Sequence, residues 1–168
     1  MSDKELNMVT TASLKDVLLD SAREVFETMV FMVLAESEES GPSMEGMTLL
    51  GSITFRGGLE GCLAICCDVA CARTIVGNML GMEGNERLGE AEICDAIGEL
   101  ANMVLGATKS RIQNDVGPIE VSIPSVVRGR ELHNSLGAGA SMVTVPVDIE
   151  GKYAAEFSLL YRAGRPKE

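Results

Sequence analysis

Glu99 and Asn102 stand three residues apart in the stretch EAEICDAIGELANMVLGATKSRI, which runs from Glu90 to Ile112. On an α-helix that spacing places two side chains next to each other, with Cβ atoms about 5–6 Å apart. A carboxylate and a carboxamide so placed can enter another protein's pocket together. The carboxylate can grip a cation. The amide both donates and accepts hydrogen bonds without carrying charge, so it can aim a water molecule.

The stretch predicts a helix over 90–112. Stepping 100° per residue from Ile97 puts Ile93, Leu100, Ala101, Val104 and Ile112 within about 60° of it. Glu92, Asp95, Glu99, Asn102, Gly106 and Lys109 fall on the far side, between about 120° and 220°. One face is built to pack on a sheet, and the other meets solvent or a partner. By pattern alone the polar face reads first as a solvated surface, since polar residues must lie somewhere. Two features favour a partner. Asn is a poor residue for mid-helix, and Gly106, one turn beyond Asn102, lets another backbone come close.

The elements that must hold this helix are legible as hydrophobic patterns. Residues 1–12 read as a flexible leader. Ser13–Glu36 predicts a helix with Ser13 as N-cap and a buried stripe of Val17, Leu18, Ala22, Val25, Met29 and Val33. Glu36–Gly46 is acidic and turn-prone. Thr48–Arg56 and Glu60–Cys67 predict two strands joined at Gly57-Gly58. Val69–Leu80 predicts a short helix closed by Gly81, and Gly84–Leu88 a polar turn into the long helix. Gln113–Gly117 reads as a turn and Pro118–Val127 as a strand in which Pro124 restricts position. A glycine-spaced loop follows, from Gly129 to Ala140. Ser141–Asp148 and Tyr153–Tyr161 predict a final strand pair around Glu150-Gly151. This order gives an α+β fold in one domain, 13–162, with an antiparallel β-sheet packed against long helices and a tail at 163–168. The last two strands are β-prone enough to pair with a second copy if they lie at a sheet edge.

The chain has 168 residues, 46% of them apolar, and its few aromatics leave Leu, Val, Ile, Ala and ten Met to build the core. A chain of this size buries roughly 70% of its unfolded surface without disulfides or metals. The formal net charge is −11. Such a balance repels phosphate backbones and anionic lipid, which argues against nucleic acid and membrane surfaces as partners. MSDKELNMVTTAS lacks a basic start followed by an apolar run, so no secretion signal is expected, and no apolar run is long enough to span a bilayer. The expected location is cytoplasmic, with the five cysteines reduced. No CxxC occurs and His133 is the only histidine, so no metal site is expected. His133 reads as a surface residue, and most of the cysteines and Met29, Met32, Met79, Met82 and Met103 as core filler. Gly57, Gly58 and Gly61 make a tight turn and not a phosphate loop, because no Lys-Ser/Thr pair follows.

Asp95-x3-Glu99-x2-Asn102, followed 22 positions later by Pro124 in SIPSVV, resembles the CheC/CheX/FliY phosphatases of bacterial chemotaxis, in particular the CheX branch. The run from Ile53 to Gly61 is similar to that family's glycine-punctuated hairpin, and the resemblance extends over about Ser13 to Leu160. It implies a phosphatase acting on a phosphorylated CheY-like response regulator. Asn102 would orient the attacking water and Glu99 would pair with the regulator's lysine. Asp95, Gly106 and Pro124 would contribute to the partner-facing surface. No cofactor of its own is implied, since the regulator supplies the phosphorylated aspartate and the Mg²⁺. The resemblance also implies a homodimer joined through the sheet. CheC-type members carry a second acid–amide pair on the first helix. Here neither Glu24 nor Glu27 has an Asn three residues on, so one site is expected. The alternative is a non-catalytic binding module for a response regulator or a flagellar-switch component, and a weaker third reading is a thiol-based sensor.

Overall fold

The computed structural model describes residues 11–39, 46–82 and 88–164. The expected leader up to residue 10, most of the acidic loop and the polar turn, and the end of the tail fall outside them.

Helix α1 spans Thr11–Val25 and runs on into a π-turn, Phe26–Val30. Strand β1 is Leu34–Glu36, β2 Thr48–Gly57 and β3 Leu59–Asp68. Helices α2 (Val69–Met79) and α3 (Glu90–Val116) follow. Strands β4 (Ile119–Val121), β5 (Ser125–Gly129), β6 (Ser141–Ile149) and β7 (Tyr153–Ala163) complete the chain. All pairings are antiparallel, in the order β1-β6-β7-β3-β2, with β4 and β5 sharing the far edge of β2. The expected α+β architecture is therefore present. No helix among the described residues is long and apolar enough to cross a membrane.

Alternation along the strands builds the core. Val143, Val145, Val147 and Ile149 of β6 and Ala155, Phe157, Leu159 and Tyr161 of β7 are all buried. They form one cluster with Leu14, Leu18 and Ala22 of α1 and the apolar stripe of α3. Phe26 meets Phe157 edge-on at 6.2 Å between ring centroids. Behind β3 runs the long loop, where Asn134 Nδ2 donates to Cys62 Sγ at 3.2 Å. Cys62, Cys66, Cys67 and Cys71 are buried, and all five cysteines are free. The Cys67 thiol is pushed well up by its hydrogen bond with Cys71 and by burial, which makes it a poor nucleophile.

The first helix is shorter than expected. It starts before Ser13, which lies inside it, and it ends at Phe31, whose φ of 59° and ψ of 39° reverse the chain. The cause is tertiary. Val33 N–H donates to the Glu150 carboxylate at 2.8 Å, Glu150 N–H donates to the Val33 carbonyl at 2.8 Å, and Leu34 pairs with Ile149. The β6–β7 turn thus draws 33–36 out of the helix and into the sheet. Met29 and Val33, expected on the buried stripe, are 48% and 67% exposed. The wider π-turn and the reversal at Phe31 rotate them outward.

Two more expectations change. Helix α3 continues through the predicted turn to Val116, which is buried, and stops where Gly117 adopts φ 79°. The single strand expected over 118–127 is two strands. Residue sums across the ladder change from 176 at Phe55–Val121 to 177 at Ser52–Ser125, so one extra residue lies between. This is a β-bulge, at Ile123 and Pro124, opposite Ile53. Strand β7 lies between β6 and β3, away from any edge, while β6 meets β1 only over Val147–Ile149. From Ser141 to Val145 the outer side of β6 pairs with no strand among the described residues.

Candidate functional site

Helix α3 carries the candidate residues as its periodicity requires. Ile93, Ile97, Leu100, Ala101, Val104 and Ile112 are buried. Asp95, Glu99 and Gly106 are exposed and Asn102 is half-buried. Among the described residues, no hydrogen bond or ion pair engages the Glu99 or Asn102 side chain. The acid and the amide are thus presented outward, uncommitted, from one side of a rigid element.

Local sequence starts and stops this helix. Glu90 and Glu92 sit in its first turn, where the dipole favours anions. Glu90 also meets Arg128 of β5 at 3.1 Å. At the other end Gly117 N–H donates to the Gln113 carbonyl at 2.9 Å.

Three close approaches and one ion pair hold the helix in place. On the buried side, a Cβ added to Gly51 of β2 would lie 2.9 Å from Ile97 Cγ2, so the strand backbone lies directly beneath the site. At the C-terminal end, a Cβ on Gly58 of the β2–β3 turn would collide with the Val116 carbonyl oxygen. The glycine-punctuated hairpin therefore serves as a seat for the end of the site helix. On the flank, Pro124 of the bulge covers Gly98, at 3.4 Å from a Cβ built there. Gly98 is one turn before Asn102, so Pro124 borders the amide's side of the helix. From the opposite flank, Arg111 Nη1 donates to Glu24 Oε2 of α1 at 2.7 Å.

The five sequence-predicted residues therefore share one region. Asp95, Glu99, Asn102 and Gly106 follow one another along the outer face of α3, and Pro124 joins them through Gly98. A Cβ on Gly106 would meet nothing within 4 Å, which leaves that turn open to an approaching surface. Sequence reading missed the parts played by Gly98 and Gly51. A glycine in mid-helix and one within a strand, both costly in isolation, were the available signals. Among the described residues no three of His, Cys, Asp and Glu converge as a metal-ligand set.

The sequence model of the family described as Chemotaxis phosphatase CheX matches residues 49–148. The chain belongs to the CheX family. Solved structures of CheX and CheC-like proteins share its fold. CheX from Vibrio vulnificus is 23% identical with a TM-score of 0.74, and the match covers 91% of this chain and 99% of that one. A CheC-like superfamily protein from a Shewanella species is also 23% identical, with a TM-score of 0.72 over 97% of this chain and 100% of its own. CheX in the CheX–CheY–BeF3–Mg²⁺ complex from Borrelia burgdorferi is 16% identical, with a TM-score of 0.69 over 88% and 96% of the two chains. No curated protein matches the chain.

Proposed function

We propose that this CheX-family chain dephosphorylates a CheY-like response regulator by inserting Glu99 and Asn102 into the regulator's active site. The observation that carries the reading is the uncommitted acid–amide pair on the outer face of α3 in a chain of this family. The complex between a CheX and CheY in Borrelia burgdorferi supports the choice of partner. A regulator of this kind places the chain in the cytoplasm.

Phosphoryl transfer passes through a loose transition state, so positioning a nucleophile and balancing charge supply most of the rate. Asn102 accepts a hydrogen bond from the attacking water through its carbonyl and orients it in line with the acyl phosphate. A carboxylate at that position would repel the phosphoryl oxygens, and the neutral amide does not. Glu99 pairs with the regulator's lysine and fixes the register of the two proteins. The regulator brings the phosphorylated aspartate and the Mg²⁺, and this chain contributes no cofactor. Asp95 and Gly106 extend the contact surface, and Pro124 supports the flank of the helix.

The reading includes a homodimer joined through the sheet, which the open outer side of β6 from Ser141 to Val145 supports. Sedimentation at micromolar concentration tests it, and a monomer there removes it.

Phosphate release from each CheY-type regulator of the host, with wild type and Asn102→Ala, tests the catalytic proposal. The expected loss is at least ~100-fold in rate, about 2.7 kcal/mol in barrier. Dephosphorylation by Asn102→Ala at the wild-type rate overturns the role of the amide. Capture of the regulator without faster phosphate loss would make the chain a binding module instead.

A further inference from the structure

Ile123 is 89% exposed, whereas the other eight isoleucines are at most 4% exposed. Its position follows from the bulge, which opposes two residues to Ile53, turning Pro124 onto Gly98 and leaving Ile123 outside the sheet. The bulge is firmly built. Ser122 N–H donates to the Thr54 carbonyl at 2.9 Å, and Thr54 N–H donates to Ser122 Oγ at 3.1 Å.

The height of Ile123 along the site helix can be read from the pairing. The β4–β5 edge runs antiparallel to α3, with Arg128 beside Glu90, Pro124 beside Gly98 and Ile119 just after the helix end. One strand residue advances about 3.3 Å and two helix residues about 3 Å. Ile123 therefore stands about level with residues 100–102, the height at which the helix carries Glu99 and Asn102. Val121, two residues on and 38% exposed, continues the apolar ledge.

We propose that Ile123 is an apolar anchor that docks the phosphorylated response regulator beside the acid–amide pair. The inference rests on the proposed function, because it takes the occupant to be the protein that receives Glu99 and Asn102. Continuity with that pair argues for this occupant. A surface that lowers two prongs onto an acyl phosphate must also cover the neighbouring edge of α3, and Ile123 is the most exposed large apolar residue among the described residues. The regulator then presents an apolar depression next to its phosphorylated aspartate. A buried anchor of this kind contributes binding energy and register and leaves the chemistry to Asn102.

The test separates binding from chemistry. Ile123→Ala and Ile123→Ser should raise KM for the phosphorylated regulator about tenfold, with kcat and thermal midpoint unchanged, while Ile123→Leu keeps the wild-type KM. The Kd for the beryllofluoride-activated regulator should rise by the same factor. Unchanged KM and Kd in the Ala and Ser variants overturn the anchor, as does a fall in kcat alone. A shift in self-association by Ile123→Ser with unchanged Kd assigns the ledge to a second copy and also overturns it. If wild type binds the activated regulator but does not speed phosphate loss, the phosphatase reading fails while the Kd ratios still decide the anchor. If wild type binds no regulator, both fail.

Discussion

The ring of Pro124 lies over Gly98, with its Cβ and Cγ both 3.4 Å from where a Gly98 Cβ would stand. Val126 Cγ2 is 3.5 Å from the same point. An edge strand and the site helix are thereby in contact one turn before Asn102, and any push on the ring is felt at the flank that carries the amide.

Gly98→Ala should fit at this distance and add helix propensity, about 1 kcal/mol at most. Gly98→Val brings a branched side chain against the ring, and kcat for phosphate release should fall about tenfold through displacement of the neighbouring face. Thermal midpoints and steady-state kinetics on the pair check this. Wild-type kcat in Gly98→Val would show that the Pro124 contact does not position the amide.

Stability and activity should part company along the outer face of α3. Asn102→Ala removes a poor helix former from a site with no partner among the described residues, so the unfolding free energy from urea titration should rise by about 0.5 kcal/mol. Gly106→Ala adds a methyl in open space and should stabilise by about 1 kcal/mol. Gly106→Leu should fold equally well yet weaken capture of the regulator, because the side chain intrudes where another backbone comes close. Regulator affinity equal to wild type in Gly106→Leu would remove Gly106 from the contact surface.

Gly58→Ala should be far more damaging than its surface turn implies. The added Cβ meets the Val116 carbonyl oxygen, a backbone atom that cannot rotate away. A loss of about 2–3 kcal/mol is expected, with the C-terminal end of α3 losing amide-exchange protection first. Denaturant unfolding and hydrogen exchange report both, and unchanged stability would mean that the hairpin does not seat the helix.

Burial pushes the Glu156 carboxyl up from the ordinary carboxylate range. The folded chain then holds that proton more tightly than the unfolded chain does. The group favours folding below the ordinary range, and this contribution is lost as pH rises through the raised value. At pH 7 the charged form is a liability. Glu156→Gln should therefore unfold at higher urea than wild type at pH 7, with the difference shrinking towards pH 4. Parallel titrations at the two pH values check the sign.

Helix α3 was legible from Glu90 to Ile112 because its apolar residues keep a 3.6 period across more than 20 positions, and such a pattern has only one way to bury itself. The Thr48–Gly57 and Leu59–Asp68 hairpin was legible through its alternation and paired glycines. Leu34–Glu36 was not, because its fate depends on Glu150 and Ile149, more than a hundred residues away in sequence. The end of α3 was misread because Gln113, Asn114 and Asp115 look like a turn until Val116 finds the core and Gly58 finds its carbonyl.

The sequence by itself determined which residue types face out from the site helix, since helical spacing alone puts Glu99 and Asn102 opposite Ile97. It also determined the antiparallel α+β class, through strand alternation and turn chemistry, which are local properties. Only the tertiary structure decided what stands beside that pair. The bulge at Ile123 and Pro124 exists because two stretches of one edge strand pair with β2 in registers one residue apart. Register is a relation between distant segments, and no pattern within either segment records it.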